Sequence, residues 1–568
     1  MMFYKKRYLA IMIFTAMLCI GVIGIRYYLQ NNVEDEKEIA LDVKFSSDSG
    51  VFQAPFLLEM KCNGSDIYYT LDGSMPDKNS MRYETPIFIT DASLNENRYS
   101  MRTDVSTGFD KEEINKYSGD DPGYTTPDYK IDKATIVKAV SYSPVNGYGN
   151  VETAVYFVGE EGRTFNDNIK VISIVTDEDN LFDYKKGIYV TGETYRNYIK
   201  EYREAEKYYW REAFWALWMA NYRNRGKQWE READIFFFDN EGKLELEQMC
   251  GIRIHGGISR GYNPKSLNIY ARKKYNGTKI IPLDFFSTGY IPDAITLFQG
   301  GNDTRTKAKD YLISSAVSQL NIATMNYEPY VLFLNGEYWG FYWLNEKYDA
   351  NYFGYYYDVD AKNVILVKNG GIEEGNEDDD KYYSNMLKFC TNSDLTQESN
   401  YERVCNIIDI DSCIDYYAVM IYIGRCGDWP DSNYCLWRVK KEENGQYGDM
   451  RWRWAILDLN SEGYTNDINP IEYVMDNDAM FHNLMQNKEF CHKFAEKIIA
   501  LSENEFSAEN MTAQIEKLQS NMTQPMKQND KRFYGDDSLV RYYHEMEELN
   551  SFFENRSDFL LPLLENYK

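Results

Sequence analysis

The pattern of apolar and polar positions changes twice along the chain. In residues 43–160, short runs rich in β-branched and aromatic residues are separated by turn dipeptides such as Asp72-Gly73 and Asn146-Gly147. This predicts a small antiparallel β-sandwich. In residues 161–494 the alternation typical of strands is interleaved with helical periodicity, which predicts a mixed α+β domain. Residues 495–568 are predicted to form a C-terminal helical region.

The N-terminal segment has a different character. Basic residues at positions 5–7 precede an apolar run from Tyr8 to Ile25, whose length is near the lower limit for a membrane-spanning helix, about 17 residues. We predict an uncleaved signal-anchor (transmembrane helix) in residues 1–30, followed by a charged linker in residues 31–42. A cleaved signal peptide is the alternative. Both place the body outside the cytoplasm, either held at the cell membrane by a single pass or secreted.

The net charge argues against one class of partner, and the cysteine spacing argues against one class of metal site. The chain has 89 acidic and 62 basic residues, a formal net charge of −27, which argues against nucleic acid as a partner. Of the nine cysteines, no two have the C-x-x-C spacing of a zinc ribbon. Buried apolar thiols are the favoured interpretation for Cys405, Cys413, Cys426 and Cys435, although an extracellular body would also permit one disulfide among them.

One acidic loop lies between a helix pattern and a strand pattern. The segment DSCIDYYAVMIYIGR has apolar residues at helical spacing, and NYCLWRV and RWRWAILDL alternate like two strands. Asp428 and Asn433 lie in the loop between them, and Asp458 follows the second strand. Protein-kinase active sites have this order of parts: the loop aspartate accepts the hydroxyl proton, and the other two residues hold metal ions. Their oxygen ligands suit Mg²⁺.

A second segment, GIRIHGGISRGYNPKSLNIYARKKY, concentrates glycine and positive charge. Its Gly256-Gly257 pair permits close approach of a ligand to the backbone, and phosphoryl transfer needs cations on the nucleotide phosphates. We therefore predict nucleotide-binding roles for Arg253, Arg260 and Lys265. Glu346 is the candidate carboxylate that orients Lys265.

Together these segments resemble the CotH kinase family, named for a bacterial spore coat protein. The resemblance runs from about residue 168 to residue 473. It rests on six blocks in the family's order: WEREADIFFFDNEGK, IRIHGGISRGYNPKSLNIYARKKY, LFQGGNDTRTKAKDYL, NGEYWGFYWLNEKYD, GDWPDSNYCLWR and WAILDLNSEGY. It implies an atypical protein-kinase-like fold, with ATP and Mg²⁺ or Mn²⁺ as cofactors and a protein substrate, here a coat or envelope protein.

The resemblance also implies residue roles. Asp428 is similar to the catalytic-loop aspartate and Asp458 to the metal aspartate, with Asn433 as the second metal ligand. Lys265 is similar to the nucleotide-binding lysine, and Glu346 to its acidic partner.

Two positions depart from the family pattern. Leu457 stands where the family often has Trp, and Asn460 where it often has a second Asp. An amide in place of a carboxylate leaves open a non-catalytic, pseudokinase-like surface or envelope binding protein. In the block GGNDTRTKAKD, the resemblance assigns Asn302, Asp303 and Asp310 only a structural or phosphate-side role.

The N-terminal sandwich resembles another family. The segment GSDIYYTLDGSMPDKNSMRYETPIFI followed by ATIVKAVSYS is similar to the chitobiase/β-hexosaminidase C-terminal immunoglobulin-like domain, through the turn at residues 69–76 and the Lys138-Ala139 strand. Such domains contact glycans or act as spacers. We favour a spacer, with glycan contact as the alternative.

Hydrolase interpretations are weaker. Residues 257–261, GISRG, fit G-x-S-x-G, but a strand pattern follows where a nucleophile elbow needs a helix. Two carboxylates beside a chitobiase-like domain would suit a glycosidase, but the body has no glycosidase pattern. The acidic run GIEEGNEDDDKYY is interpreted as a solvated loop that caps the next helix.

Overall fold

The computed structural model describes residues 42–106, 124–159, 169–204, 219–461 and 463–567. The predicted signal-anchor, residues 1–30, and all but the last residue of the predicted linker lie outside the described residues. Within the described ranges, none of the helices combines the length and the apolar character needed to cross a bilayer.

Short strands near the N-terminus form a β-sandwich. They are β1 (Lys44–Phe45), β2 (Gly50–Phe52), β3 (Phe56–Leu58), β4 (Met60–Lys61), β5 (Asp66–Thr70), β6 (Met81–Arg82), β7 (Ile87–Ile89), β8 (Thr135–Ser143) and β9 (Gly147–Val158). A five-stranded sheet, β2-β9-β8-β5-β6, shares an apolar core with the pairs β3-β7 and β1-β4. Because β2 runs parallel to β9, the prediction of a purely antiparallel sandwich is wrong at that edge.

The sandwich packs directly against the next domain. The ring of Phe157 lies 5.5 Å from that of Phe238 and 4.9 Å from that of Phe333. Beside this contact, the buried Lys138 ammonium lies 3.1 Å from the Asp234 carboxylate. Burial of aromatic rings at such a contact stabilises it by several kcal/mol, roughly 25 cal/mol per Å² removed from water. The sandwich is therefore packed on the barrel domain, and its role, as a spacer or in glycan contact, stays a prediction.

The next domain is built on a closed seven-stranded barrel. Its strands are β10 (Lys170–Val175), β11 (Arg231–Phe238), β12 (Leu244–Ile254), β13 (Leu267–Tyr270), β14 (Ala294–Phe298), β15 (Tyr327–Leu334) and β16 (Glu337–Asn345). They follow the order β10-β11-β12-β13-β14-β16-β15, and parallel pairing of β10 with β15 closes the ring. Asn335 and Gly336 form the turn between β15 and β16 with φ of 47° and 83°, the backbone that an Asn-Gly hairpin favours.

Most of the helices follow the barrel in the sequence. They are α1 (Glu178–Phe182), α2 (Gly192–Glu204), α3 (Lys273–Asn276), α4 (Lys309–Ala316), α5 (Ala350–Tyr356), α6 (Asp380–Asn392), α7 (Glu398–Ile407), α8 (Ile410–Tyr422), α9 (Pro470–Asn477), α10 (Ala479–Met485), α11 (Lys488–Glu503), α12 (Ala508–Tyr534) and α13 (Val540–Leu560). This mixture confirms the α+β prediction.

Helix α8 is the centre of the helical part. Nearly all of its residues are buried. Arg556 of α13 is also fully buried and donates hydrogen bonds to the carbonyl oxygens of Ile421 and Tyr422, at 2.8 and 2.6 Å. These bonds satisfy carbonyl groups that the end of a helix leaves unpaired. The C-terminal helices therefore pack on the body, and the domain boundary proposed at residues 494/495 falls inside α11.

A second sheet follows the barrel. Its strands are β17 (Val364–Lys368), β18 (Gly371–Glu374), β19 (Cys435–Val439) and β20 (Arg453–Ala455), in the order β18-β17-β19-β20. The two strands predicted after the acidic loop are β19 and β20, which pair antiparallel. Part of the acidic run is β18, so it is not wholly a loop. Cys413 and Cys435 are buried, as the favoured interpretation predicted, but the prediction is wrong for Cys405 and Cys426, which are only partly buried.

Candidate functional site

A cavity of about 810 Å³ lies between the barrel and the second sheet. Residues from β12, β13, β14 and β16 line one part of it, and the loops that follow α8 and β20 line another. The structure brings six of the seven predicted site residues into its lining: Arg253, Arg260, Glu346, Asp428, Asn433 and Asp458. Lys265 is not among the lining residues.

The loop after α8 holds Asp428 by two hydrogen bonds. The buried Arg425 guanidinium donates to Asp428 Oδ1 at 2.8 Å, and Asn433 Nδ2 donates to Asp428 Oδ2 at 2.6 Å. Asn433 reaches it from a left-handed backbone, φ 58°, which asparagine tolerates better than most residues. Trp429 is buried and donates from its indole to the Tyr416 hydroxyl on α8, at 2.8 Å. The loop that carries the carboxylate is therefore tied to α8.

Asp458 lies three residues after β20 in a left-handed backbone, φ 58°. Asn460 Nδ2 donates to Asp458 Oδ1 at 2.9 Å, while Asn460 Oδ1 accepts from the Asn302 backbone N–H at 2.7 Å. Asn460 thus uses its donor and its acceptor to join two chain segments. A carboxylate at this position would keep the acceptor but lose the donor to Asp458.

Asp310, on α4, is a site residue for which the sequence supplied no chemical role. Its Oδ1 accepts from the Leu459 backbone N–H at 3.0 Å, and its Oδ2 is buried with no hydrogen-bond partner in the described part of the chain. Burial, and after it the negative charge of Asp458, raises the pKa of Asp310 to about 7. The sequence signal for Asp310 was its place in the block GGNDTRTKAKD. Because that block is far from Asp458 in the sequence, the sequence did not indicate that Asp310 lies beside Asp458.

These residues fit a divalent cation. A buried carboxylate oxygen without a partner is costly, and Asp310 Oδ2 is such an atom beside Asp458. Asp458 and Asp310 would hold the ion, with Asn433 contributing an amide oxygen, and all three are ligand types that Mg²⁺ accepts. Bound there, the ion would neutralise charge on phosphate oxygens. Within the described ranges, no group of three or more His, Cys, Asp or Glu residues is arranged to hold a metal.

Comparison with known protein families gives two matches. The family described as CotH kinase protein matches residues 252–560. This chain belongs to the CotH kinase family. A second match, to the family described as Fn3 associated, covers residues 56–156, so an additional domain precedes the kinase domain, as predicted. No curated protein matches the chain. Membership in the CotH family supports a kinase-like function and, in general, the use of ATP and a divalent metal.

The CotH match also covers the C-terminal helices. It continues to residue 560, well past the boundary proposed at residues 494/495. Helices α11 to α13 are therefore part of the matched CotH region as well as packed on it.

In this CotH domain, Lys265 does not point toward the cavity. Its Nζ lies 3.8 Å from the ring centre of Tyr222 and donates to the Tyr262 carbonyl oxygen at 3.2 Å. Successive side chains on a strand point to opposite faces. Asn268, three positions later, is the β13 residue that lines the cavity beside Tyr270. The prediction for Lys265 therefore identified a segment that contributes to the cavity wall, but not the side chains of that segment that face the cavity.

Glu346 lines the cavity, but its described partners are neutral. Its Oε2 accepts from the backbone N–H of Asn326 at 2.8 Å, and its Oε1 accepts from the Tyr356 hydroxyl. Burial raises the pKa of Glu346 to about 7. The structure therefore gives Glu346 a place in the site but does not pair it with Lys265, as the sequence had suggested.

The two predicted arginines hold the glycine-rich segment. Arg260 donates to the carbonyl oxygens of Gly256, Tyr222 and Asn224, at 2.8, 3.2 and 3.0 Å. The guanidinium of Arg253 stacks over the Tyr270 ring at 4.1 Å from its centre. Both arginines line the cavity. Arg260 is bonded to the protein itself, whereas the buried Arg253 Nε makes no hydrogen bond in the described part of the chain and lies 3.7 Å from the Glu230 carboxylate.

Proposed function

We propose that this chain is an extracytoplasmic protein kinase that transfers the γ-phosphoryl group of ATP to serine or threonine hydroxyls of a protein. The observation that carries the proposal is the meeting of Asp428, Asn433 and Asp458 on one cavity, although they come from two separate loops. Asp310, from a third element, joins them. Membership in the CotH family supports the same reaction class.

The proposed roles follow from the contacts. Asp428 orients the acceptor hydroxyl and takes its proton as the hydroxyl oxygen bonds to the γ-phosphorus and the bond to the leaving ADP oxygen breaks. Arg425 and Asn433 keep that carboxylate in one position. Asp458 and Asp310 hold the divalent cation, Mg²⁺ or Mn²⁺. Catalysis in this class is mainly positioning and charge stabilisation.

The location and the substrate are part of the proposal. The apolar run that ends at Ile25 supports a body outside the cytoplasm, anchored to the cell membrane. A coat or envelope protein is the proposed substrate class. Glycan contact by the sandwich is retained only as a secondary role.

The test is label transfer by the full-length chain in detergent. γ-Labelled ATP is supplied with Mg²⁺ or Mn²⁺ to casein-like acceptors and to the chain itself, and an Asp458→Ala variant is run beside the wild type. The proposal expects transfer that Asp458→Ala loses while its melting temperature stays near that of the wild type. Absence of transfer and of a metal-dependent nucleotide shift would favour the second candidate, a pseudokinase-like binding protein. That candidate draws on the amide of Asn460 beside Asp458.

A further inference from the structure

Two lysines that line the cavity have no hydrogen-bond or ion-pair partner among the residues that the structure describes. Lys347 is the second residue after β16, and Lys368 is the last residue of β17. Both are half-buried and both line the cavity. In the described ranges, neither ammonium group donates a hydrogen bond or lies within 4 Å of a carboxylate. An ammonium group at a cavity wall with no acceptor among the described residues keeps its three donors available for a ligand.

Lys347 and Lys368 lack an ion pair among the described residues although the protein is rich in carboxylates. The chain has 27 more acidic than basic residues. Burial raises the pKa values of Asp293 and Glu374, and the charge of Lys347 offsets part of each rise, yet Lys347 forms an ion pair with neither. Asp293 instead accepts from Asn351 Nδ2 at 2.9 Å. Glu373 also lines the cavity, but among the described residues its carboxylate forms no ion pair with Lys368.

The positive charge of these lysines reaches the cavity interior. His255 lies on the cavity wall, and burial, followed by the charges of Lys368, Arg260 and Lys347, lowers its pKa to about 3. Arg260 already donates to three carbonyl oxygens, whereas each ammonium has three donors and no described acceptor. The lysines therefore hold the bonding capacity that an anion can use.

Lys368 is also tied to the catalytic loop. It pairs in register with Cys435, the residue two positions after Asn433. The next residue, Asn369, accepts from the Tyr434 backbone N–H at 3.3 Å and donates its own backbone N–H to the Tyr434 carbonyl oxygen at 3.1 Å. These bonds place Lys368 at the same end of the cavity as the loop that carries Asp428.

We propose that Lys347 and Lys368 bind the phosphate chain of the nucleotide, in the role that the sequence suggested for Lys265. The inference rests on the proposed nucleotide site and deepens it by naming the cations. Lys265 is enclosed by tyrosines, and Arg260 donates to three carbonyl oxygens. The Arg253 guanidinium is stacked on Tyr270 and shares the Glu230 carboxylate with other basic residues. The two unpaired ammonium groups are compact charges suited to phosphate oxygens.

The test measures binding rather than transfer, with the full-length chain in EDTA so that no metal bridges protein and phosphate. Inorganic tripolyphosphate, ATP and adenosine are titrated by calorimetry against the wild type, Lys347→Met, Lys368→Met and the double variant. Lys279→Met is the matched control, since Lys279 is exposed and lies outside the cavity lining.

We expect each single substitution to lower the affinity for tripolyphosphate and for ATP about tenfold, and the double variant to lower both affinities about a hundredfold. The affinity for adenosine should not change. Lys279→Met should bind as the wild type does. Wild-type affinity for tripolyphosphate in a folded double variant would overturn the inference, as would absence of tripolyphosphate binding by the wild type. If binding behaves as expected but no transfer occurs, the proposed kinase reaction fails while the phosphate site stands.

Discussion

The cavity has an acidic wall, Asp310, Asp428 and Asp458, and a basic edge, Lys347 and Lys368, and the protein holds them differently. Asp428 and Asp458 are fixed by hydrogen bonds from neighbouring side chains. The lysines make no such bonds in the described part of the chain. A fixed acceptor suits a group that must meet a reacting hydroxyl in one geometry. Unpaired cations suit a flexible, highly charged ligand that supplies its own oxygens.

Removing charge from the acidic wall should have the largest effect. Asp428→Asn keeps the size of the side chain but loses the proton acceptor, so we expect transfer to fall about a thousandfold, within the range found for general bases. Initial rates of label transfer would measure it. Asp431→Asn is the control, because Asp431 is exposed in the same loop. Equal losses in both variants would show that loop structure, not the Asp428 carboxylate, sets the rate.

The next effect concerns Glu346, a carboxyl that directly precedes Lys347. Burial raises its pKa from 4.5 to about 7, so the folded protein retains a proton that the unfolded chain releases between those values. The stability from this group is present at low pH and is lost as pH rises through 7. We expect Glu346→Gln to remove up to about 3 kcal/mol of that pH dependence.

Denaturant melts at about pH 5 and about pH 8 would measure the Glu346 effect. Glu373→Gln serves as the control, since Glu373 is exposed on the same cavity. If the free energy of unfolding changed equally between the two pH values in wild type and in Glu346→Gln, Glu346 would be charged in the folded protein.

Weakening the support of the acidic wall should cost less. Arg425→Lys keeps a positive charge but loses the planar group that joins Asp428 to Ser461. We expect kcat to fall about tenfold with little change in KM for ATP, because the carboxylate is displaced rather than removed. Steady-state kinetics would separate the two terms. A change in KM alone would argue that Arg425 acts on the nucleotide.

Making the acidic wall more acidic should have the smallest effect. Asn460→Asp restores the carboxylate that the family often has, next to Asp458 and Asp310. We expect a lower melting temperature in EDTA, from like-charge repulsion of about 1 kcal/mol, and a larger upward shift with Mn²⁺. Differential scanning fluorimetry over a metal titration would measure both. No gain in metal response would place the cation away from Asn460.

Local patterns predicted much of this architecture. The two strands after the acidic loop were predicted from patterns that depend on neighbours in sequence, and both strands are present and paired. The face of Lys265 was misjudged because alternation identifies a strand but does not say which face is inside. The position of Asp310 beside Asp458 was missed because Leu459, to which Asp310 is bonded, is far along the chain. Such contacts arise from tertiary packing, which periodicity does not record.

The measurement that tests the central claim most directly compares two labels. Full-length wild type and Asp458→Asn are incubated with Mg²⁺ or Mn²⁺ and a protein acceptor, once with α-labelled and once with γ-labelled ATP, after both proteins are shown to melt alike. The account predicts label on the acceptor from γ-labelled ATP only, lost in Asp458→Asn. Label from α-labelled ATP, or none from either with both metals, would contradict a kinase built on this cavity.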